Sequence, residues 1–349
     1  MFKAKLASFS NYSTPVFDCI VKADSNENLL DYPEDLETLI MDVLQKSIKN
    51  LCFYPEMNAQ PLKEELAKFY GLERENFIIG NGSDQLIQLI IQAACEKDDF
   101  IFTLYPSFTM YKITAELFDV NHSFLDITQN WEIDVEKVIK RIGQNDKIKV
   151  VFIDTPNNPT GIALEHEKLK LIVESFPETL IVIDNAYGEY CDIDYLDLVL
   201  KNKNVILLKT FSKIGFAGIR CGYAIANEKI IENLHKVKPP YNVNALTQQI
   251  AITVLENFDK LKDNVDMIKS ERLRLTRSLQ GFYFVLPSQA NFISIVDEEV
   301  DYIFGYLKEK KILVKKFNTG DKKLLRITLG KPHDNDIILE NLINYKRGK

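Results

Sequence analysis

Residues 149–184 read KVVFIDTPNNPTGIALEHEKLKLIVESFPETLIVID. Lys149–Asp154 and Leu180–Asp184 are short, β-rich apolar runs, and the first passes straight into the Thr155–Gly161 loop, TPNNPTG. Working outward, Phe77–Gly80 reads as a strand before the turn-like Asn81-Gly82-Ser83-Asp84 and a helix through Cys95. Asp99–Leu104 is another strand, ending at Tyr105-Pro106, and Asn204–Leu208 is a further one, with helical segments between most of them. This alternation predicts an α/β fold with a mainly parallel sheet covered by helices on both faces. The later sequence differs: a long charged helix over Phe258–Gln280, short strands at Ala290–Val296, Ile312–Lys316 and Leu324–Leu329, and a terminal helix. That pattern predicts a smaller α+β domain. The expected division is an N-terminal arm with part of the small domain over 1–35, a large domain over 36–238, and the small domain over 239–349.

Composition sets the outer bounds. The 349 residues suit two domains, and 46% hydrophobic with 27% charged residues is an ordinary globular balance. A net charge of −7 argues against a nucleic-acid surface. Five cysteines, odd in number and without a CxxC pair, read as reduced thiols of a cytoplasmic protein. Four histidines without ligand spacing give no support for a metal site. The N-terminal sequence carries no signal-peptide pattern, and no segment approaches the ~20 apolar residues that cross a bilayer. No membrane partner is therefore expected.

In a parallel α/β sheet, ligands gather beyond the carboxyl ends of the strands, and four segments stand there. Gly80–Asp84 joins strand to helix, so Gly82, Ser83 and Asp84 offer free N–H groups suited to a phosphate, or form a plain N-capped turn. Pro156–Gly161 fixes a sharp loop in which Asn158 can supply an amide donor. Asp184 ends a buried strand, where a carboxylate needs a cation: a protonated pyridine nitrogen, or an Arg or Lys. In Thr210–Arg220, Lys213 lies among small and apolar residues just past a strand. Burial there lowers its pKa and yields an amine fit for a Schiff base, while Ser212 and Arg220 add a hydroxyl and a fork for phosphate. Together these requirements are those of pyridoxal 5′-phosphate, PLP.

With those motifs in place, the chain resembles the fold-type I, aspartate aminotransferase-like PLP enzymes, and within them the histidinol-phosphate aminotransferase branch. The resemblance spans nearly the whole chain. It includes Ser25-Asn26-Glu27-Asn28, Tyr54-Pro55, Pro106-Ser107-Phe108 with Tyr111, and the segments above. It continues through Pro240-Tyr241-Asn242-Val243-Asn244, Pro287–Phe292 (PSQANF) and Leu325-Arg326-Ile327-Thr328.

The resemblance implies an aminotransferase of histidine biosynthesis, with glutamate or 2-oxoglutarate and a phosphorylated amine or carbonyl compound as substrates. Lys213 would carry the cofactor and shuttle the proton, Asp184 would keep the ring nitrogen protonated, and Tyr187 and Asn158 would bind the ring oxygen. Phe108 would stack on the ring, where most relatives place tyrosine. Ser83 and Asp84 amides, Ser212 and Arg220 would hold the phosphate, with Tyr54 reaching over from a second subunit of a homodimer. Arg326 would bind the substrate carboxylate or phosphate, and Tyr12, Asn26 and Asn28 would line the entrance.

Three departures stand out. Lys315 occupies a position where relatives carry arginine, keeping the charge but losing the planar fork. Asn185 replaces a usual glutamate, and the Lys213-to-Arg220 spacing is one residue shorter than in many aminotransferases. A decarboxylase of threonine or serine phosphate, or a transaminase for another phosphorylated or aromatic substrate, would share nearly all these motifs. A PLP-binding transcription regulator is rejected, because the Asn26 motif begins too early for a preceding DNA-binding module.

Overall fold

The computed structural model describes residues 4–8, 18–127, 130–319 and 322–348. Among the described residues, twelve strands form two sheets: β1 (Val21–Ala23), β2 (Phe77–Asn81), β3 (Phe100–Tyr105), β4 (Asn121–Asp126), β5 (Ile148–Asp154), β6 (Leu180–Asp184), β7 (Val205–Thr210), β8 (Cys221–Ala226), β9 (Phe284–Val285), β10 (Phe292–Val296), β11 (Ile312–Thr319) and β12 (Lys322–Thr328). The seven-stranded sheet has the order β2-β8-β7-β6-β5-β3-β4, and only β8 runs antiparallel to its neighbours. Its central strands are continuous apolar runs because both faces are covered. Val151, Ile153, Ile181, Ile183 and Leu207 enter one core, while Val150, Phe152, Val182, Ile206 and Leu208 enter the opposite one. Alternate side chains thus split between two helical layers, as the pleat requires.

The second sheet, β1-β11-β12-β10-β9, packs its own core against the helices Lys262–Leu279, Val300–Glu309 and Pro332–Arg347. Only β1 comes from the N-terminal part, pairing parallel with β11.

Two features differ from the sequence expectation. The edge strand β4 (NHSFLD) and the small-residue strand β8 (CGYAIA) lack the bulky β-branched runs that marked the others. The Ala245–Glu256 helix packs on the helices Glu34–Ile48 and Gln60–Tyr70. Val243, Ala251, Val254, Leu255 and Leu261 consequently lie in the large-sheet core. These residues lie on the C-terminal side of the 238/239 division expected from the sequence.

Candidate active site

The carboxyl ends of β5, β6 and β7 lie side by side, bringing Asp154, Asp184 and Thr210 to one rim of the large sheet. The segment after β1 and the β11–β12 pair supply the opposite wall. Between them is a cavity of about 630 Å³ lined by Asn26, Ser83, Asp84, Phe108, Asn158, Asp184, Tyr187, Ser212, Lys213, Arg220, Lys315 and Arg326. Those twelve are all residues singled out in the sequence.

Lys213 sits in a short 3-10 turn, Phe211–Ile214, which Thr210 caps by accepting from the Ser212 N–H at 3.1 Å. Its ammonium donates to the Ser25 carbonyl at 3.4 Å and stands 5.8 Å from the Tyr187 ring centre. Burial brings Lys213 down to about 8, and the Arg326 guanidinium adds to the effect. A substantial fraction is then neutral amine near physiological pH, as a nucleophile requires.

Asp184 is buried and accepts from the Tyr111 hydroxyl at 2.7 Å and from the Ala186 N–H at 3.1 Å. Burial pushes its carboxyl up to about 7; the Tyr111 bond opposes this and the charge of Asp154 adds to it. Among the described residues, no Arg or Lys pairs with Asp184. Of the two partners left open by sequence, the salt bridge is absent and room for a ligand cation remains.

At the other end, the Gly82–Ala94 helix begins at the cavity, with Ser83 and Asp84 on its wall, and its first N–H groups have no intrahelical acceptor. Gly82 has φ +74, and a Cβ there would lie 2.6 Å from Arg220 Nη2. A Cβ on Gly222 would come within 2.5 Å of the Ser83 nitrogen. Both positions are closed to larger residues, which keeps the cradle tight. Arg220 Nη1 donates to Ser212 Oγ at 3.4 Å and Nη2 pairs with Asp84 Oδ2 at 2.9 Å. Gly82 itself is behind the cradle rather than on the cavity wall.

Lys315 and Arg326 are directly paired across β11 and β12. Arg326 donates through Nη1 to Asn158 Oδ1 at 2.5 Å and through Nη2 to the Asp24 carbonyl, and its guanidinium lies over Phe292 and Phe317. The Asn158 oxygen is thus engaged, leaving its Nδ2 as the group that can donate. Asn26 Nδ2 donates to the Tyr187 hydroxyl at 2.8 Å. Phe108 meets Tyr111 edge to face, with centroids 5.6 Å apart.

Besides Gly82, two sequence-chosen residues, Asn28 and Tyr54, do not line this cavity. Asn28 is buried and caps a loop instead: it donates to Tyr190 Oη at 3.1 Å and accepts from Leu30 N at 3.0 Å. Tyr54 is 82% exposed and stacks on Tyr241 at 4.7 Å, away from its own chain's cavity. Tyr12 lies outside the described residues. Conversely, Asp154, Tyr111 as partner of Asp184, Glu27 and Phe317 line the cavity without having been assigned roles. The available signal for Asp154 was the one that marked Asp184: a carboxylate ending a buried strand.

A family profile described as aminotransferase class I and II matches residues 18–342. The chain belongs to this family and is a PLP-dependent aminotransferase. It is 35% identical to a histidinol-phosphate aminotransferase of Clostridium kluyveri over 348 residues, covering 98% of this chain and 97% of that one. It is 34% identical to another of Pyrococcus furiosus, covering 99% and 98%. In fold it is similar to the crystal structure of histidinol-phosphate aminotransferase from Sinorhizobium meliloti in complex with pyridoxal 5′-phosphate, with TM-score 0.87, 21% identity, and 95% and 92% of the two chains covered.

The residues present fit PLP. The cavity joins a neutralisable amine, a buried carboxylate that no Arg or Lys among the described residues pairs, and a helix start at Ser83 and Asp84 beside Ser212 and Arg220.

Proposed function

We propose that this enzyme exchanges an amino group between glutamate and histidinol phosphate, through 2-oxoglutarate and imidazole-acetol phosphate. One observation carries the reading: two cationic side chains, Lys315 and Arg326, open side by side into the cavity that holds Lys213. One substrate brings a second carboxylate and the other a phosphate, so a site serving both needs positive charge remote from the reacting carbon. The full-length likeness to histidinol-phosphate aminotransferases supports the same substrate.

Bound PLP supplies an electrophilic carbonyl and an electron sink for the carbon that loses its proton. In this reading Lys213 Nζ accepts that proton and returns it on the cofactor side, a role matched by its lowered pKa. Asp184 holds a proton on the ring nitrogen, which its buried, cation-free surroundings favour. Tyr187 Oη and Asn158 Nδ2 orient the ring oxygen. Phe108 supports the ring face, and the Ser83 and Asp84 N–H groups, Ser212 and Arg220 hold the phosphate. Arg326, aligned by Asn158 and Asp24, takes the substrate carboxylate or phosphate; Asn26 fixes Tyr187 at the entrance.

We also propose a homodimer in which Tyr54 completes the partner's phosphate site. Its support is the exposed apolar patch of Ile48, Leu51, Phe53 and Tyr54 beside Tyr241, since such a contiguous surface marks an interface. A cytoplasmic setting accords with five free thiols.

Glutamate added alone to the PLP-loaded protein is expected to shift the cofactor absorbance to that of pyridoxamine phosphate, and imidazole-acetol phosphate to reverse it. Silence with glutamate, together with carbon dioxide release from threonine phosphate, would replace amino transfer by decarboxylation. Lys315→Ala is expected to raise KM for histidinol phosphate by about 10- to 100-fold, the scale of one lost charge-assisted bond. Lys315→Arg should hold or lower that KM. Steady-state kinetics check both, and an unchanged KM in the alanine variant would remove Lys315 from phosphate recognition.

A further inference from the structure

Asp154 is a second buried carboxylate at the same rim, 4% exposed, and the reading above gives it no role. It faces Asp184 in register on the neighbouring parallel strand, and strands in a sheet lie about 4.8 Å apart. Both residues line the one cavity.

Every hydrogen bond to Asp154 uses its carboxylate as acceptor. Oδ1 accepts from Ser107 Oγ at 2.8 Å and from Asn157 Nδ2 at 3.0 Å, and Oδ2 accepts from the Asn158 N–H at 2.9 Å. Three donors favour the charged form over the neutral acid. Burial is the larger influence and holds the Asp154 carboxyl above its ordinary value, while the three donors oppose that rise. These bonds also tie together two loops, because Ser107 precedes Phe108 and Asn158 faces Arg326. Tyr111 bonds Asp184 rather than Asp154.

We propose that Asp154 is a positioning residue that places a second negative charge beside Asp184 and so strengthens the hold on the protonated ring of the cofactor. The proposal rests on the reading of Asp184 as partner of the ring nitrogen. A purely mechanical tie between the two loops would support any ring of the same shape. A charge would discriminate a cationic ring from a neutral one.

The test is equilibrium titration of the cofactor-free protein with PLP and with 1-deazapyridoxal phosphate, whose C–H replaces the ring nitrogen. Wild type should prefer PLP, and Asp184→Asn should lose that preference. Asp154→Asn should weaken PLP by about 30- to 300-fold, the scale of a unit charge several ångströms away at an effective dielectric near 20, and leave the analogue unchanged. Asp154→Glu, which keeps the charge, should restore much of the loss. Asp154→Ser serves as a smaller neutral replacement if the asparagine variant does not fold. Unchanged PLP affinity in the neutral variants, or a parallel loss for both compounds, overturns the proposal while leaving Asp184 in place. A wild type that does not distinguish PLP from the analogue overturns the Asp184 reading, and this proposal with it.

Discussion

Lys213→Ala is expected to lower the rate of amino transfer by at least about 10³-fold, because it removes the group that moves the proton as well as the attachment point. Among the described residues, no other amine is placed to substitute. Lys315 belongs to the opposite wall, and Lys209 is held in a partly buried ion pair with Glu189 at 2.7 Å. Single-turnover kinetics with glutamate should show the loss in the proton-transfer step, with substrate affinity retained through Arg326. A loss of less than tenfold would displace Lys213 from the reaction.

The same burial has a cost in the cofactor-free protein. Lys213 stands at about 8 when folded, below the ordinary 10.5, so the unfolded chain binds more protons between those values. The cost is complete below pH 8 and disappears as the pH rises toward 10.5. Lys213→Met should therefore raise the Tm of the cofactor-free protein by a few degrees at pH 7 and lose that advantage near pH 10.5.

Asp184→Asn is expected to lower kcat/KM by about 10²- to 10³-fold, the consequence of leaving a buried cation without its anion at roughly 3–5 kcal/mol. Asparagine keeps the shape: its oxygen can still accept from Tyr111, so a fall of this size reports the charge. Stability should move the opposite way. The Asp184 carboxyl stands at about 7 in the folded protein against 3.8 ordinarily, so its ionised form penalises the cofactor-free fold. The penalty is absent below about pH 4, grows through the interval and is complete above pH 7. Cofactor-free Asp184→Asn should melt above wild type at pH 8 and beside it at pH 4. Reduced activity together with raised stability separates a functional carboxylate from a structural one, and a variant that loses both at pH 8 would make Asp184 structural.

The sequence by itself determined the parallel architecture and singled out strand-end residues that line one cavity, since those signals are local. Continuous apolar runs such as LIVI before Asp184, and a lysine amid small residues at 213, are costly locally unless a strand end and a ligand explain them. Prolines and asparagines in residues 156–161 likewise constrain their own loop.

Which loops would meet was another matter. Asp154 and Asp184 become neighbours only because β5 and β6 are adjacent in the sheet, and Lys315 and Arg326 only because β11 and β12 pair in that register. Asn28 lies in a motif the eye assigns to substrate, yet Tyr190, 162 positions along the chain, takes its amide. The helix at 245–256 looks like the start of a second domain until helices more than 170 residues earlier bury its apolar face. Local periodicity states that a face must be buried and a charge must be paired. The partner is chosen by long-range packing, where register and sheet order set which groups come within reach.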